Sequence, residues 1–259
     1  MYLAIDIGGT KTLLALFTRH GHCIKRFKYP TNHNQTQFLN ELSINLQPFR
    51  RAKIKTVVVA IPGIVQENYT FKFGNLNWPN IDLYSPIKNL FNCPIFFVND
   101  ADLATFYESK GRSGKTIYLT FSTGIGGGIV ENGKLSHESA KFEPGHWQYT
   151  YNDETLEWED IAAVSAIRRV YDLPDIIKLR GKKAYEDVAK RVCLGLTDII
   201  RNYHPDTIVV GGPLGLVFNK IYPYFKFPDS LVYHPRVVKA KRPTESVIYG
   251  CYLYAKSKA

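Results

Sequence analysis

Three glycine-rich turns and one acidic strand end follow one another along this chain of 259 residues, and their order constrains its fold more than any other feature. The glycine turns occupy residues 6–11 (DIGGTK), 123–128 (TGIGGG) and 210–212 (VGG), and the pair Asn99-Asp100 lies between the first two. Each glycine turn follows a β-rich run. Glycine lets backbone N–H groups approach a phosphate without a Cβ in the way, so the series predicts a nucleotide clamp with one carboxylate between its two halves.

The same order of elements opens both halves of the chain. Residues 2–5 and 12–17 are predicted strands on either side of the first glycine turn, and residues 117–121 and 129–130 surround the second. A strong Asn-Gly hairpin signal follows the second pair. This repetition predicts an α/β fold made by duplication, with two lobes and a central cleft.

The domain limits follow from the repetition. We place the N-terminal lobe at residues 1–113 and the C-terminal lobe at residues 114–244. The apolar spacing predicts helices over residues 157–171 and 184–203. A last helix, residues 245–257, is expected to pack back on the first lobe.

The first glycine turn carries the groups that a phosphate site needs. Gly8, Gly9 and Thr10 offer backbone N–H groups, and Lys11 adds a positive charge. Asp6, at the strand end, is suited to holding Mg²⁺ through water. The turn taken alone is equally consistent with a plain hairpin and an exposed acid.

The second glycine turn resembles a dinucleotide fingerprint, but the residues after it are β-branched and end at a hairpin instead of a helix. We therefore predict that Thr123 and Gly124 belong to a second phosphate-binding hairpin. Gly211 and Gly212 permit close passage of an adenine or ribose. A purely structural turn explains glycines after a strand equally well.

The polar candidates lie at a strand end and in a loop. Asp100 is suited to accepting a hydroxyl proton during phosphoryl transfer, and Asn99 to orienting the same substrate. A helix N-cap is the alternative role for Asp100. Glu143 and His146 are suited to binding sugar hydroxyls, the alternative being a solvated glutamate and a packed histidine.

The composition excludes several function classes. The net charge is +10, but the basic residues are scattered and no DNA-binding motif is present, so we predict no nucleic-acid partner. No apolar run reaches about 18 residues and no secretion signal is evident, which predicts a cytoplasmic protein without a membrane segment. The four cysteines are far apart in sequence, which argues against a cysteine zinc site.

Taken together, these segments resemble the ROK family of sugar kinases, within the actin-like ATPase (ribonuclease H-like) fold, over nearly the whole chain. Residues 6–11 and 123–128 look like the two phosphate motifs of the family. Residues 97–101 look like its segment with the catalytic aspartate, and residues 205–212 like its adenosine segment. Five motifs in the right order make the resemblance specific, the fifth being the sugar-side loops that include Gly63 and Asn75.

The resemblance implies a glucokinase-like enzyme that uses ATP and Mg²⁺ to phosphorylate a hexose at its 6-hydroxyl, with Asp100 as the catalytic base. A further acidic contact to the hexose is implied, for which Glu159 is the first candidate and Glu157 the second. A homodimer is implied by analogy with relatives. The implied hexose contacts are Gly63, Asn75, Asn99, Asp100, Glu143, His146 and Glu159.

One departure from the family pattern is plain. Most members carry a Cys-x-Cys-Gly-x-x-Gly-Cys loop that binds zinc together with the histidine of a Glu-x-Gly-His segment. Residues 148–156 contain no cysteine, so zinc is predicted absent and His146 would be left free for sugar. Zinc-free relatives include enzymes that use polyphosphate, which keeps that donor open.

The resemblance also leaves two other functions open. The family includes repressors, so a sugar-sensing transcriptional regulator is the first alternative. A catalytically dead sugar-binding protein is the second. The retained Asp100 favours the kinase over the regulator, since a pure sensor could lose it.

Overall fold

The computed structural model describes residues 1–65, 71–72, 76, 78 and 81–259. No helix among these residues is both long and apolar enough to cross a lipid bilayer. The strands are β1 (Tyr2–Ile7), β2 (Lys11–Phe17), β3 (Cys23–Pro30), β4 (Thr56–Ile61), β5 (Ile64–Val65), β6 (Phe71–Lys72), β7 (Ile95–Asn99), β8 (Lys115–Phe121), β9 (Ile125–Glu131), β10 (Lys134–Leu135), β11 (Gln148–Tyr151), β12 (Glu154–Glu157), β13 (Thr207–Gly211) and β14 (Arg236–Lys239). The α-helices are α1 (Gln35–Leu46), α2 (Tyr84–Lys88), α3 (Asp100–Ser109), α4 (Trp158–Ala162), α5 (Val164–Val170), α6 (Lys182–Tyr203), α7 (Phe218–Ile221) and α8 (Ser246–Ser257).

The contacts within the chain group it into two compact units. The N-terminal unit is Met1–Tyr107 together with Val247–Ala259, and the C-terminal unit is Glu108–Ser246. The first boundary lies earlier than the lobe limit drawn from the sequence. The buried carboxylate of Glu108 accepts hydrogen bonds from the backbone N–H groups of residues 241 and 242, which ties the end of α3 to the C-terminal unit.

The N-terminal unit is built on a five-stranded sheet in the order β3-β2-β1-β4-β7. β1 runs antiparallel to β2 and parallel to β4. Its side chains alternate between two cores because successive residues of a strand point to opposite faces. Leu3 and Ile5 pack in the cluster that includes α1, whereas Tyr2 and Ala4 pack in the cluster that includes α3 and α8. The strand is therefore buried on both faces, as a central strand between helical layers requires.

The C-terminal unit repeats this arrangement in the order β10-β9-β8-β13-β14. β8 runs antiparallel to β9 and parallel to β13, as β1 does to β2 and β4. In both sheets, three successive antiparallel strands are followed by two strands that run parallel to the third. This shared order confirms the predicted duplication. The long helix α6 buries Val188, Val192, Leu196 and Ile199 in the core of this unit, at the spacing of one helical face.

A small hairpin, β11–β12, was not predicted from the sequence. Its tip is formed by Asn152 and Asp153, whose φ angles of 53° and 65° are the left-handed values that a two-residue hairpin turn requires. The helix predicted over residues 157–171 is wrong as a single element. It is two shorter helices, α4 and α5, separated at Ala163, whose backbone is extended.

The packing of α8 on α3 depends on a glycine. A Cβ at Gly250 would overlap with the backbone carbonyl of Leu103 in α3. Gly250→Ala is therefore expected to destabilise the protein by about 1–3 kcal/mol, although alanine favours a helix over glycine by about 1 kcal/mol. Urea unfolding measures the change, with Ser257→Ala at the exposed end of α8 as the control. An alanine variant at least as stable as wild type would show that the two helices can separate without cost.

Candidate active site

The first glycine turn joins β1 to β2 and is fixed through its carbonyl groups. The carbonyl oxygen of Gly8 accepts from the Thr31 hydroxyl at 2.7 Å, and that of Thr10 accepts from the Thr31 backbone N–H at 3.0 Å. The Gly9 carbonyl oxygen lies 3.0 Å from Nε2 of His33, and the Lys11 carbonyl accepts from the Gly8 N–H at 3.0 Å. Four successive carbonyls are thus bonded within the unit, so the turn is held in one shape, as a preorganised anion site requires.

Thr31 and His33 are functional candidates that the sequence reasoning missed. They follow β3 in a segment rich in asparagine and threonine, a composition that indicates a loop but not its contacts. The Thr31 hydroxyl is also 2.9 Å from that of Thr12, which is fully buried. The indole N–H of Trp78 donates to the His33 carbonyl at 2.9 Å, so the sugar-side loop predicted from sequence is connected to the first glycine turn.

Asp6 lies close enough to Asp100 for the negative charge of Asp100 to act on its ionisation. Asp6 lies on the same face of β1 as Tyr2 and Ala4, which is the face that packs against α8. Burial, with a further contribution from the negative charge of Asp100, raises the pKa of Asp6 to about 7, while Lys28 acts in the opposite direction. The structure therefore brings together the predicted metal-binding acid and the predicted base.

This pair fits a divalent cation. Magnesium prefers carboxylate and water oxygens, and a cation beside two acids relieves both their repulsion and the cost of burying an ionised carboxylate. The raised pKa of Asp6 is the structural sign of that unrelieved cost. Mg²⁺ bound at Asp6 through water remains a prediction.

Asn99 and Asp100 are placed by the junction of β7 and α3. The Asn99 Oδ1 atom accepts from the backbone N–H of Asp102 at 3.0 Å, which makes Asn99 the residue that caps α3. Its Nδ2 atom donates to the carbonyl of Gly63 at 2.9 Å. Asp100 begins the helix, and its Oδ1 atom accepts from the N–H of Ala101 at 2.8 Å. The cap that the sequence offered as an alternative role for Asp100 thus belongs to its neighbour.

Gly63 and Asn75 were both predicted in the sugar-side loops. Gly63 has a φ of 103°, a conformation that favours glycine, and Asn99 holds its carbonyl. Asn75 lies outside the described residues.

The second glycine turn joins β8 to β9 in the C-terminal unit. The Ser122 N–H donates to the Gly124 carbonyl at 2.8 Å, and the hydroxyl of Ser165 in α5 donates to the Thr123 carbonyl. A Cβ at Gly124 would meet the carboxylate of Glu159. The predicted phosphate turn and the predicted sugar residue Glu159 therefore adjoin each other in this unit.

Gly211 and Gly212 end β13, and packing explains both. A Cβ at Gly211 would overlap with the ring of Tyr118, and one at Gly212 would overlap with the backbone of Phe121. Gly212 also has a φ of 67° and donates its N–H to the Pro243 carbonyl at 2.8 Å. The structural alternative accounts for these glycines, and their contact with adenosine remains a prediction.

His146 makes a hydrogen bond through one of its two ring nitrogens, and the expectation that it is free for sugar stays a prediction. Its Nδ1 atom lies 2.9 Å from Oε2 of Glu157 at the end of β12. This hydrogen bond raises the pKa of His146 against the effect of partial burial, and the charges of Glu159, Glu157 and Glu143 act in the same direction as the bond. Glu159 is engaged elsewhere, because its Oε2 atom accepts from the backbone N–H of Ile125 at 3.2 Å.

His146, Glu157 and Glu159 could together hold a metal ion, since one ligand atom from each lies within 4.8 Å of the others. All three side chains already have hydrogen bonds in the chain: the His146 imidazole and the Glu157 carboxylate with each other, and the Glu159 carboxylate with the backbone N–H of Ile125. The predicted absence of a cysteine zinc site is a separate matter and stays a prediction.

The comparisons with known proteins agree with this fold. The model of the ROK family matches residues 2–223. A fructokinase from Lactococcus lactis subsp. cremoris is 30% identical over 168 residues, which cover 62% of this chain and 57% of the fructokinase. A xylose repressor from Bacillus spizizenii is 27% identical over 178 residues, covering 59% of this chain and 46% of the repressor. The chain therefore spans about half the length of these curated relatives.

Two solved structures show the same fold over the whole chain. A ROK family glucokinase from Streptomyces griseus, in complex with glucose and AMPPNP, has a TM-score of 0.80 at 19% identity and covers 99% of both chains. The inorganic polyphosphate/ATP-glucomannokinase from Arthrobacter sp. has a TM-score of 0.77 at 20% identity, covering 100% of this chain and 99% of its own. These matches confirm the actin-like ATPase fold predicted from the sequence.

The raised pKa of Asp6 predicts an unusual dependence of stability on pH. The pKa of Asp6 is about 7 in the folded state, whereas the unfolded chain releases the proton near the ordinary value of 3.8. Folding is therefore favoured by the bound proton at low pH, and this stabilisation is lost as the pH rises through 7. Asp6→Asn cannot ionise, so its stability relative to wild type should increase between pH 5 and pH 8, by up to about 3 kcal/mol.

Denaturant unfolding without divalent cations at both pH values measures this difference. Asp172→Asn, at an exposed acid with a positive φ that asparagine tolerates, is the control and should show a much smaller difference. A stability difference between Asp6→Asn and wild type that is the same at pH 5 and pH 8 would show that Asp6 ionises normally.

Proposed function

The chain belongs to the ROK family, and we propose that it is an ATP-dependent kinase that phosphorylates the 6-hydroxyl of a hexose, with glucose as the first candidate. The observation that supports this proposal most is the pair of mutually interacting acids, Asp6 and Asp100, in the unit that also carries the anchored first glycine turn. A metal-binding acid, a base and a phosphate turn are the parts that phosphoryl transfer to a hydroxyl needs.

Asp100 is proposed as the base. The carboxylate takes the proton of the sugar 6-hydroxyl while that oxygen forms a bond to the γ-phosphorus of ATP, and the bond from this phosphorus to the leaving ADP oxygen breaks. Asp100 is the first residue of α3, where the helix dipole favours the ionised form that a base must have. Asn99 holds the start of this helix and the Gly63 carbonyl at the same time, which keeps the carboxylate in place.

Asp6 is proposed to serve the phosphate donor. A bound Mg²⁺ would supply positive charge to the β- and γ-phosphates. Asp6 would hold this ion through water and would be ionised when it does so. The Gly8 N–H is already bonded to the Lys11 carbonyl, so the N–H groups of Gly9 and Thr10 and the Lys11 ammonium would bind phosphate oxygens in the first turn. The second turn, including Thr123 and Gly124, would do the same in its own unit. Gly211 and Gly212 would lie along the adenosine.

The sugar contacts are proposed for both units. Gly63 and Asn99 come from the N-terminal unit, together with Asn75, and Glu143, His146 and Glu159 come from the C-terminal unit. Carboxylate, amide and imidazole groups of this kind bind sugar hydroxyls in both donor and acceptor roles. The proposal assigns a cytoplasmic location, since ATP is the phosphate donor, and expects no nucleic-acid partner. A homodimer is proposed by analogy with relatives.

Replacing the proposed base tests the mechanism. Asp100→Asn should lower kcat by about 10²–10⁴-fold because the amide cannot accept the hydroxyl proton, while hexose binding measured by calorimetry changes little. Asp102→Asn removes the same charge from the same first turn of α3 and is the matched control, expected to keep kcat within about threefold. Similar losses of kcat in the two variants would show that loss of a negative charge at the helix terminus causes the effect. Asp100 would then not be the base.

A coupled assay of hexoses against ATP and polyphosphate tests the activity itself. Turnover of glucose with ATP is the expected result, and the structural likeness to a polyphosphate/ATP-glucomannokinase makes polyphosphate the second donor to measure. The likeness to a repressor motivates a parallel DNA-retention assay at moderate salt. DNA binding without turnover of any hexose would show that the protein is a sugar-sensing regulator and not a kinase. Hexose binding with neither turnover nor DNA binding would show that it is a catalytically dead sugar-binding protein.

A further inference from the structure

We propose that Glu157 is a positioning residue, which holds the His146 imidazole through Nδ1 so that Nε2 is presented to a sugar hydroxyl, and that the β11–β12 hairpin is the frame that keeps Glu157 in place. This inference rests on the proposed function, because it takes His146 as a hexose contact. It replaces the alternative in which Glu157 itself binds the sugar.

The pair is fixed where the hairpin joins the rest of the unit. His146 ends the 3₁₀ turn Pro144–His146, and Glu157 ends β12. The two residues that follow them, Trp147 and Trp158, are joined by a backbone hydrogen bond of 2.8 Å from the Trp158 N–H to the Trp147 carbonyl. The 2.9 Å contact between Nδ1 and Oε2 thus lies beside a backbone bond that limits how far the two side chains can separate.

The hairpin is attached to α6 at several points. Tyr149 donates its hydroxyl to Asp198 at 2.9 Å, and the Arg191 guanidinium lies over the Tyr151 ring at 5.0 Å from its centroid. The fully buried Trp158, next to Glu157, donates its indole N–H to the Arg191 carbonyl at 3.1 Å. These contacts connect Glu157 to α6, a helix of 22 residues with a buried face in the core of the unit.

The hydrogen bond between His146 and Glu157 affects the orientation of the imidazole ring more than the stability of the protein. The His146 and Glu157 side chains are 60% and 39% exposed, and exposed pairs of this kind contribute only about 0.2–1 kcal/mol. The bond does decide which nitrogen carries the proton in the neutral ring. With Nδ1–H donating to Glu157, Nε2 is the acceptor, which suits a sugar hydroxyl as donor.

Glu159, the other acid that clusters with the His146 ring and Glu157, already has contacts of its own. Glu159 accepts from the Ile125 N–H and fills the space beside Gly124 and Gly145. Glu143 influences the ring through its charge. A direct bond to Nδ1 is therefore assigned to Glu157.

The first test measures the proton position and does not depend on activity. In the full-length protein at alkaline pH, ¹⁵N NMR of the imidazoles should show His146, identified by the signal lost in His146→Asn, as the Nδ1–H tautomer. Glu157→Ala should convert it to Nε2–H, and Glu157→Gln should preserve Nδ1–H because its side-chain carbonyl still accepts. Glu154→Ala removes an exposed acid from the opposite end of β12 and is the matched control, expected to leave the tautomer unchanged.

An Nε2–H tautomer in the wild type, or no change in Glu157→Ala, would overturn the inference. Zinc is added to the same wild-type sample. Stoichiometric zinc that displaces the Nδ1–H proton would show a metal centre at His146, Glu157 and Glu159 and would also overturn it. A spectrum unchanged by zinc supports the hydrogen-bonded pair.

The second test is a double-mutant cycle on hexose turnover. Glu157→Ala and His146→Ala should each raise the KM for hexose about tenfold, with kcat and the KM for ATP within about threefold of wild type. The double variant should lose no more than either single one, and Glu157→Gln should recover most of the loss. Additive losses, or a fall in kcat at unchanged KM, would reduce Glu157 to a structural residue. If no variant and no wild-type sample turns over any hexose, the proposed function fails, and the NMR result still decides the role of Glu157.

Discussion

The repulsion between two acids, Asp6 and Asp100, is the constraint on which the rest of this account depends. Asp6 is the last residue but one of β1, a strand that is buried on both faces. Asp100 begins the helix that follows β7, and β4 separates β7 from β1 in the sheet. Their proximity, added to burial, raises the pKa of Asp6 to about 7. A fold selected for stability alone would not keep this pair, because an isoelectronic amide would remove the cost. Strained or unfavourable electrostatics of this kind are typical of functional sites.

The two units use sheets of the same topology for different tasks. In the N-terminal unit, the turn between the first two strands is fixed by Thr31 and His33 through its carbonyl groups. In the C-terminal unit, the corresponding turn is fixed by Ser165 and adjoins Glu159. The duplicated architecture supplies the turns, and the loops after each sheet supply the side chains that fix them. After its histidine loop, this chain has a hairpin that Tyr149 and Arg191 attach to a helix.

The sequence predicted those parts of the molecule that depend on local pattern. The glycine turns, the strands around them and the strand end at Asp100 all follow from residue spacing, and so did the duplication. It did not predict the β11–β12 hairpin, because its strands carry no regular apolar alternation and its Asn152-Asp153 turn lacks the glycine of a strong hairpin signal. It did not predict the roles of Thr31, His33 or Glu157, since a hydrogen bond between segments distant in sequence leaves no local pattern.

The most direct measurement is the pKa of the Asp6 carboxyl in the full-length protein, followed by ¹³C NMR in wild type and in Asp100→Asn without divalent cations. The account predicts a pKa near 7 in the wild type. It predicts a lower value in the variant, still above the ordinary 3.8 because burial remains the larger cause. A wild-type pKa near 4, or one that is unaffected by the loss of the Asp100 charge, would contradict the claim that these two acids share one site.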